Sequence, residues 1–235
     1  MLKAECISFS HRGGAELFGG VSFELPDGSF ALLCGANGAG KSTLLDILAG
    51  LESPKGGRVT LDGKRSREAL AEGTALVPQD PDQYLLGEDA KEELELGLGI
   101  RRGGKGREPE DKARVAAAAA GWGLSDVLRV PVESLSPGLK KRLAMASALA
   151  SGPRIVLLDE PFSGLDWPGT LSLLKDLGRL KDAGRAVVVA THEPYLLRDL
   201  ADAWLLLKKG GSLFTRDPAD MERLPEFGVR PYPGP

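Results

Sequence analysis

Residues 35–43 read Gly-Ala-Asn-Gly-Ala-Gly-Lys-Ser-Thr, and the rest of the chain is best understood outward from them. The stretch fits G-x-x-x-x-G-K-[ST], with Gly35, Gly40, Lys41 and Ser42 at the defining positions. Glycines let successive backbone N–H groups curl around phosphate oxygens with no Cβ in the way. A lysine at this spacing carries charge to the outer phosphates of a nucleotide, and the hydroxyl after it suits a magnesium ion. The flanks agree. Residues 29–34 form a short apolar run expected to be a buried strand, and residues 42–49 are expected to form a helix that stops at Gly50. Phosphate would then sit on a helix N-terminus, where free N–H groups and the dipole both favour an anion.

A chain of 235 residues has room for one large domain or two small ones. Its 30 Lys and Arg stand against 33 Asp and Glu, a net charge of −3 that makes no electrostatic case for nucleic acid as a main partner. No apolar run reaches the roughly 18 residues that a membrane span needs. The N-terminus, with acidic Glu5, lacks the apolar core of a secretion signal. Cys6 and Cys34 lie in apolar, strand-like runs with no paired ligand spacing. Both are expected to be core residues of a cytoplasmic protein.

Leu2–Ser10 alternates as a strand, and residues 19–25 look like its antiparallel partner. Further strands are expected at 57–62, 74–78, 154–158, 186–190 and 204–207, with a closing hairpin at 210–215. Helical texture covers 88–98, 109–120 and 137–150, then 168–181 and 194–200. Leu171, Leu174, Leu177 and Leu180 are expected to form the buried stripe of the helix at 168–181. The basic loop 101–107 (RRGGKGR) reads either as a solvated turn or as a phosphate or partner contact. Residues 225–235 hold four prolines and are expected to lie extended. Strands alternating with helices imply an α/β fold with a largely parallel sheet covered on both faces, beside an N-terminal antiparallel β flap. Residues 1–86 and 151–216 would form the core, 87–150 an inserted helical subdomain, and 217–235 a tail.

Two more stretches bear on chemistry. Residues 155–160 read Ile-Val-Leu-Leu-Asp-Glu, a buried strand ending in paired carboxylates at the sheet edge where ligands of such folds bind. His192 closes the apolar run 186–190 at that same edge, which favours a functional role over a structural one. With Pro-Phe-Ser-Gly-Leu-Asp at 161–166 and Leu-Ser-Pro-Gly-Leu at 135–139, the chain resembles the ATPase subunits of ABC transporters over about residues 2–215. The resemblance implies a P-loop NTPase fold and a set of roles. ATP would be held by Asn37, Gly38, Gly40, Lys41, Ser42 and Thr43, and Mg²⁺ by Ser42, Gln79 and Asp159. Glu160 would polarise the attacking water, and His192 would contact the γ-phosphate. Residues 163–166 match the segment that lies across the dimer interface, and Gln79 matches the glutamine beside the membrane partner. His11 is the nearest match to the aromatic residue on which the family stacks adenine; a surface-turn role fits it equally.

The chain departs from the family signature L-S-G-G-Q at Pro137 and Leu139. Ser136 is a good N-cap and Pro137 a good first helical residue, so the backbone there is expected to survive. An N–H and a side-chain amide are lost, and a hydrogen bond to a charged group is worth about 1.5–3 kcal/mol. Ser136 and Gly138 would remain to meet ATP bound by a second ATPase subunit, as a weakened half-site. Residues 77–87 (VPQDPDQYLLG) resemble those of energy-coupling-factor (ECF) importers of vitamins, cobalt or nickel. That implies a transmembrane coupling protein docking on the region from Gln79 to Leu86, with this subunit peripheral on the cytoplasmic face of the membrane. The competing readings are a nucleotide-binding regulator with little turnover, a soluble non-transport ABC ATPase, and a small-molecule kinase. The last leaves 135–138, 163–166 and His192 without a role.

Overall fold

The computed structural model describes residues 1–11, 13–100 and 109–230, and the basic loop 101–107 lies outside them. Its centre is a six-stranded sheet built from β3 (Phe30–Gly35), β5 (Thr74–Val77), β6 (Ile155–Asp159), β7 (Ala186–Ala190), β8 (Ala203–Lys208) and β9 (Gly211–Thr215), in the order β5-β6-β7-β3-β8-β9. All neighbours are parallel except the β8–β9 hairpin. The inner strands β3 (FALLCG) and β7 (AVVVA) are buried at every residue, as strands covered on both faces must be. Helices α1 (Lys41–Leu48), α2 (Arg67–Gly73), α5 (Pro137–Leu149) and α6 (Trp167–Asp182) accompany it.

The flap is a separate antiparallel sheet in the order β2-β1-β4, from β1 (Leu2–Ser10), β2 (Glu16–Leu25) and β4 (Gly56–Leu61). Phe23 of the flap meets Phe214 of β9 with ring centroids 5.8 Å apart, and Leu2, Phe18 and Leu25 share one core with Leu44 and Leu48 of α1. Cys34 is buried, as its sequence context predicts, but Cys6 is exposed. The reason is a β-bulge: the β1–β2 register shifts between Ala4 and Ile7, and Cys6 takes a left-handed φ of 49°. Its N–H donates to Ser22 Oγ at 2.8 Å in place of a ladder bond.

Helices α3 (Ala90–Gly97), α4 (Pro109–Gly121) and α5 enclose a core of their own, with Leu94, Val115, Ala119, Leu135 and Leu143. Their starts obey capping rules: Asp89 accepts from Glu92 N–H at 2.8 Å, and Asp166 accepts from Gly169 N–H at 2.9 Å to open α6. The buried face of α6 differs from the expected leucine stripe. It runs through Thr170, Leu173 and Leu177, with Leu174 and Leu180 half-buried, while Leu171 is 42 % exposed. A spacing of three drifts around a helix of 3.6 residues per turn, so the stripe cannot stay on one face. The expected helix at 194–200 is a short 3₁₀ turn, Pro194–Leu197.

The reading of 225–235 as extended does not hold where the chain is described. Pro218–Phe227 is 3₁₀-helical, and Met221, Leu224 and Phe227 are buried beside Trp204 and Leu206. A spacing of three is the period of a 3₁₀ helix, so these side chains stack on one face. Residues 231–235 lie outside the described part.

The two leucines of α6 make a test of this packing. Leu177→Ala should cost about 2–5 kcal/mol in urea unfolding, while Leu171→Ala should stay within about 0.5 kcal/mol of the parent. Equal losses at both positions would restore the stripe.

Candidate functional site

The strand order places β6, β7 and β3 side by side, so the residues that follow their carboxyl ends gather in one crevice. From β3 the chain turns through the glycine loop into α1. Gly38 and Gly40 take left-handed φ values of 76° and 98°. A Cβ on Gly40 would come within 2.7 Å of the Phe18 ring, so the flap backs the loop tightly there. No side chain caps α1, whose N-cap is Gly40, which keeps its first N–H groups free of side-chain acceptors. Lys41 is buried, its Nζ donating to the carbonyls of Gly35 at 2.9 Å and Ala36 at 3.4 Å.

The end of β6 supplies the carboxylates. Asp159 accepts a short hydrogen bond, 2.5 Å, from Ser42 Oγ of α1. Glu160 is buried, and its N–H donates to the Ala190 carbonyl at 2.9 Å. Its φ of 44° is left-handed, a conformation that costs a non-glycine residue energy and is common at functional sites. The turn brings Oε1 to 4.0 Å from Lys41 Nζ and Oε2 to 2.8 Å from His192 Nδ1. An ionised carboxylate only accepts, so this contact sets the proton on Nδ1 and leaves Nε2 for another partner.

These groups line one cleft of about 1140 Å³. Every residue expected to bind nucleotide or magnesium within the chain lines it: His11, Asn37, Gly38, Gly40, Lys41, Ser42, Thr43, Gln79, Asp159, Glu160 and His192. His11 does so from the flap side, exposed, with its ring edge-on to Phe9 at 5.4 Å. The donor set of hydroxyl, amide and carboxylate oxygens suits a hard cation such as Mg²⁺. Among the described residues no cluster of three or more His, Cys, Asp or Glu offers a competing metal site.

Ser136 and Gly138 lie elsewhere, in a hollow of about 300 Å³ that also contains Asp166. Ser136 caps α5 by accepting from Leu139 N–H at 3.4 Å, and Pro137 is its first residue. The helix N-terminus therefore keeps its form with the altered signature. Lys141 of α5 is tied to the turn behind Glu160, donating to the Pro161 carbonyl at 3.0 Å and to that of Ser163. Burial pushes its pKa down.

The segment from Gln79 to Leu86 ends at the surface with Leu86, 80 % exposed. Its far end is fixed from beneath. Leu86 and Gly87 donate their N–H groups to Glu93 Oε2 at 2.7 and 2.8 Å, and Oε1 accepts from Ser147 Oγ of α5 at 2.7 Å. Glu93 is only 3 % exposed. Sequence reasoning passed over Glu93 and Lys141, because charged residues on helices ordinarily face solvent. It also missed Tyr195, Gly228, Val229 and Arg230, which line the cleft.

The family described as "ABC transporter" matches residues 18–163. The chain is 37 % identical over 244 residues to the "Cobalt import ATP-binding protein CbiO" of Rhodobacter capsulatus, spanning 98 % of this chain and 85 % of that one. It is 34 % identical to the "Energy-coupling factor transporter ATP-binding protein EcfA" of Methanosphaera stadtmanae, over 82 % of this chain and 70 % of that protein. A solved structure of cbiO1 from Clostridium perfringens, described as part of the ABC transporter complex cbiONQ, superposes with a TM-score of 0.80. It is 30 % identical, covering 92 % of this chain and 88 % of that chain. With the phosphate loop, the carboxylate pair and the histidine converging on one cleft, these likenesses place the chain in the ABC transporter ATP-binding family.

Proposed function

We propose that this chain is the ATP-hydrolysing subunit of an ECF-type importer that takes up a vitamin or a transition-metal ion, working as one of a pair of ATPase subunits. The observation that carries the reading is Glu160, a buried carboxylate between Lys41 and His192 at the mouth of a phosphate-binding loop. The finer assignment follows the relatives named for cobalt import and for the energy-coupling factor.

The chemistry is phosphoryl transfer to water. The triphosphate lies on the N–H groups between Asn37 and Thr43, with the Lys41 ammonium against its outer phosphates. Ser42, Gln79 and Asp159 would hold Mg²⁺, which would neutralise phosphate charge. Glu160 accepts a proton from the attacking water while the new O–P bond forms. The bond from the γ-phosphorus to the bridging oxygen breaks, and that oxygen leaves as ADP. His192, with Nδ1 committed to Glu160, has Nε2 left to meet a γ-phosphate oxygen. Ser136 and Gly138 line a separate hollow and not this chain's own cleft; they would serve the nucleotide of a second ATPase subunit. His11, exposed at the edge of the cleft, would stack on the base.

The family's transmembrane coupling protein would dock on the surface from Gln79 to Leu86, where Leu86 stands exposed on a loop anchored to Glu93. Among the described residues no helix is long and apolar enough to cross a membrane. Docked on the coupling protein, the subunit would lie on the cytoplasmic face as a peripheral protein. A second reading, a regulator with little turnover, draws on Pro137 and Leu139 in the signature.

Two experiments separate them. Glu160→Gln should leave ATP binding intact and lower steady-state hydrolysis by at least about a hundredfold, the scale of general-base catalysis. Size-exclusion chromatography with MgATP should then show an ATP-retaining dimer; an unchanged elution profile and rate would favour the regulator. Pro137→Gly with Leu139→Gln should raise turnover of the lone subunit by roughly tenfold, as one regained hydrogen bond to a charged group implies. No gain would remove the weakened half-site.

A further inference from the structure

The segment after β9 returns to the phosphate loop. Met221, Leu224, Phe227 and Val229 are each at most 6 % exposed and pack into the core that holds Trp204 and Leu206 of β8. Lys208 Nζ lies 4.7 Å from the centroid of the Phe227 ring, closing the packing from above. This seating carries the end of the 3₁₀ helix onto the first residue past β3. Ala36 N–H donates to the Phe227 carbonyl at 2.9 Å. Gly228 takes a φ of 72° to end the helix, and a Cβ there would sit 2.8 Å from the Cβ of Ala36.

Ala36 is where the loop leaves the sheet. Its carbonyl accepts from Ala39 N–H at 3.1 Å and from Lys41 Nζ at 3.4 Å. One residue thus connects the segment, through its N–H, with the turn of the loop and the lysine, through its carbonyl. A loop that must present several N–H groups to one ligand binds more tightly when its backbone is held beforehand, because less ordering remains to be done on binding. The first anchor of the loop is β3 itself. The Phe227 carbonyl is the second, and it comes from a part of the chain nearly two hundred residues away.

We propose that Phe227 and Gly228 are positioning residues of the nucleotide site: the segment 218–230 is a strap that holds Ala36 and so sets the phosphate loop for triphosphate. The inference rests on nucleotide binding at this cleft and assigns its pre-organisation to residues outside the recognised motifs. Gly228 is required because only a residue without Cβ brings the two backbones this close.

The test uses the full chain. Gly228→Ala should raise the Kd for MgATP by about tenfold, comparable to one misaligned hydrogen bond to a charged group. Adding Ala36→Gly, which removes the opposing methyl, should recover part of that loss, the left-handed φ of residue 228 still opposing a side chain. Arg223→Ala, on the exposed face of the same segment, should leave the Kd unchanged. Hydrogen exchange without nucleotide gives a measurement independent of any variant: the Ala36 amide should be protected in the parent and lose that protection in Gly228→Ala. A folded Gly228→Ala protein with parental Kd, a loss of which Ala36→Gly recovers no part, or an unprotected Ala36 amide in the parent would each overturn the strap. Failure of the parent itself to bind MgATP would instead overturn the nucleotide reading, and the Ala36 amide would still report on the contact.

Discussion

A buried carboxylate must be held by charges and hydrogen bonds, and Glu160 is held by groups from two neighbouring strands. β7 lies between β6 and β3 in parallel register, with Ala190 level with Asp159 on one side and with Leu33 on the other. That register brings the ends of the three strands together. Glu160 then follows β6 and His192 follows β7, each just beyond its strand, while Lys41 follows β3 across the glycine loop, at the start of α1. Slipping β3 or β7 would move its group along the sheet edge and cost the carboxylate one of its two partners. The left-handed φ of Glu160 completes the arrangement by turning the side chain back toward the loop.

The groups within that cleft were legible because their chemistry needs local sequence. A loop of glycines, a lysine and a hydroxyl must be contiguous to wrap one phosphate chain, and a carboxylate pair must follow a buried strand to reach it. The sheet was legible for a similar reason, since strands buried on both faces, such as β6 and β7, are short unbroken apolar runs. What escaped depends on contacts between distant segments. Cys6 looks like a core residue until the bulge against Ser22 turns it outward. Glu93 looks like a solvated helix residue until Leu86, Gly87 and Ser147 are seen to converge on it. The helical part of the strap, Pro218–Phe227, carried a signal, its apolar residues three apart, but its two prolines and a period of three rather than 3.6 hid it.

Three anchors of this kind surround the site, and none belongs to a recognised motif. Glu93 fastens the loop that ends in Leu86 to α5; Lys141 fastens α5 to the turn after Glu160; Phe227 fastens the start of the phosphate loop to β8 and its neighbours. The first two are in series. A push on the exposed loop would reach Ser147 through the Glu93 carboxylate and, through the rigid helix, the carbonyls that Lys141 grips. Such a chain offers a physical route from the proposed membrane-facing surface to Glu160, the carboxylate proposed to activate water, with Ser136 at the far end of the same helix.

The central claim is that one γ-phosphate sits among Lys41, Glu160 and His192. Trapping with Mg²⁺, ADP and vanadate, followed by ultraviolet photocleavage, locates that phosphate by cutting the backbone beside it. The account predicts a cut within the loop from Gly38 to Ser42, absent when Lys41 is changed to Ala. Trapping with cleavage only outside that loop, or cleavage there that survives the loss of Lys41, would contradict it.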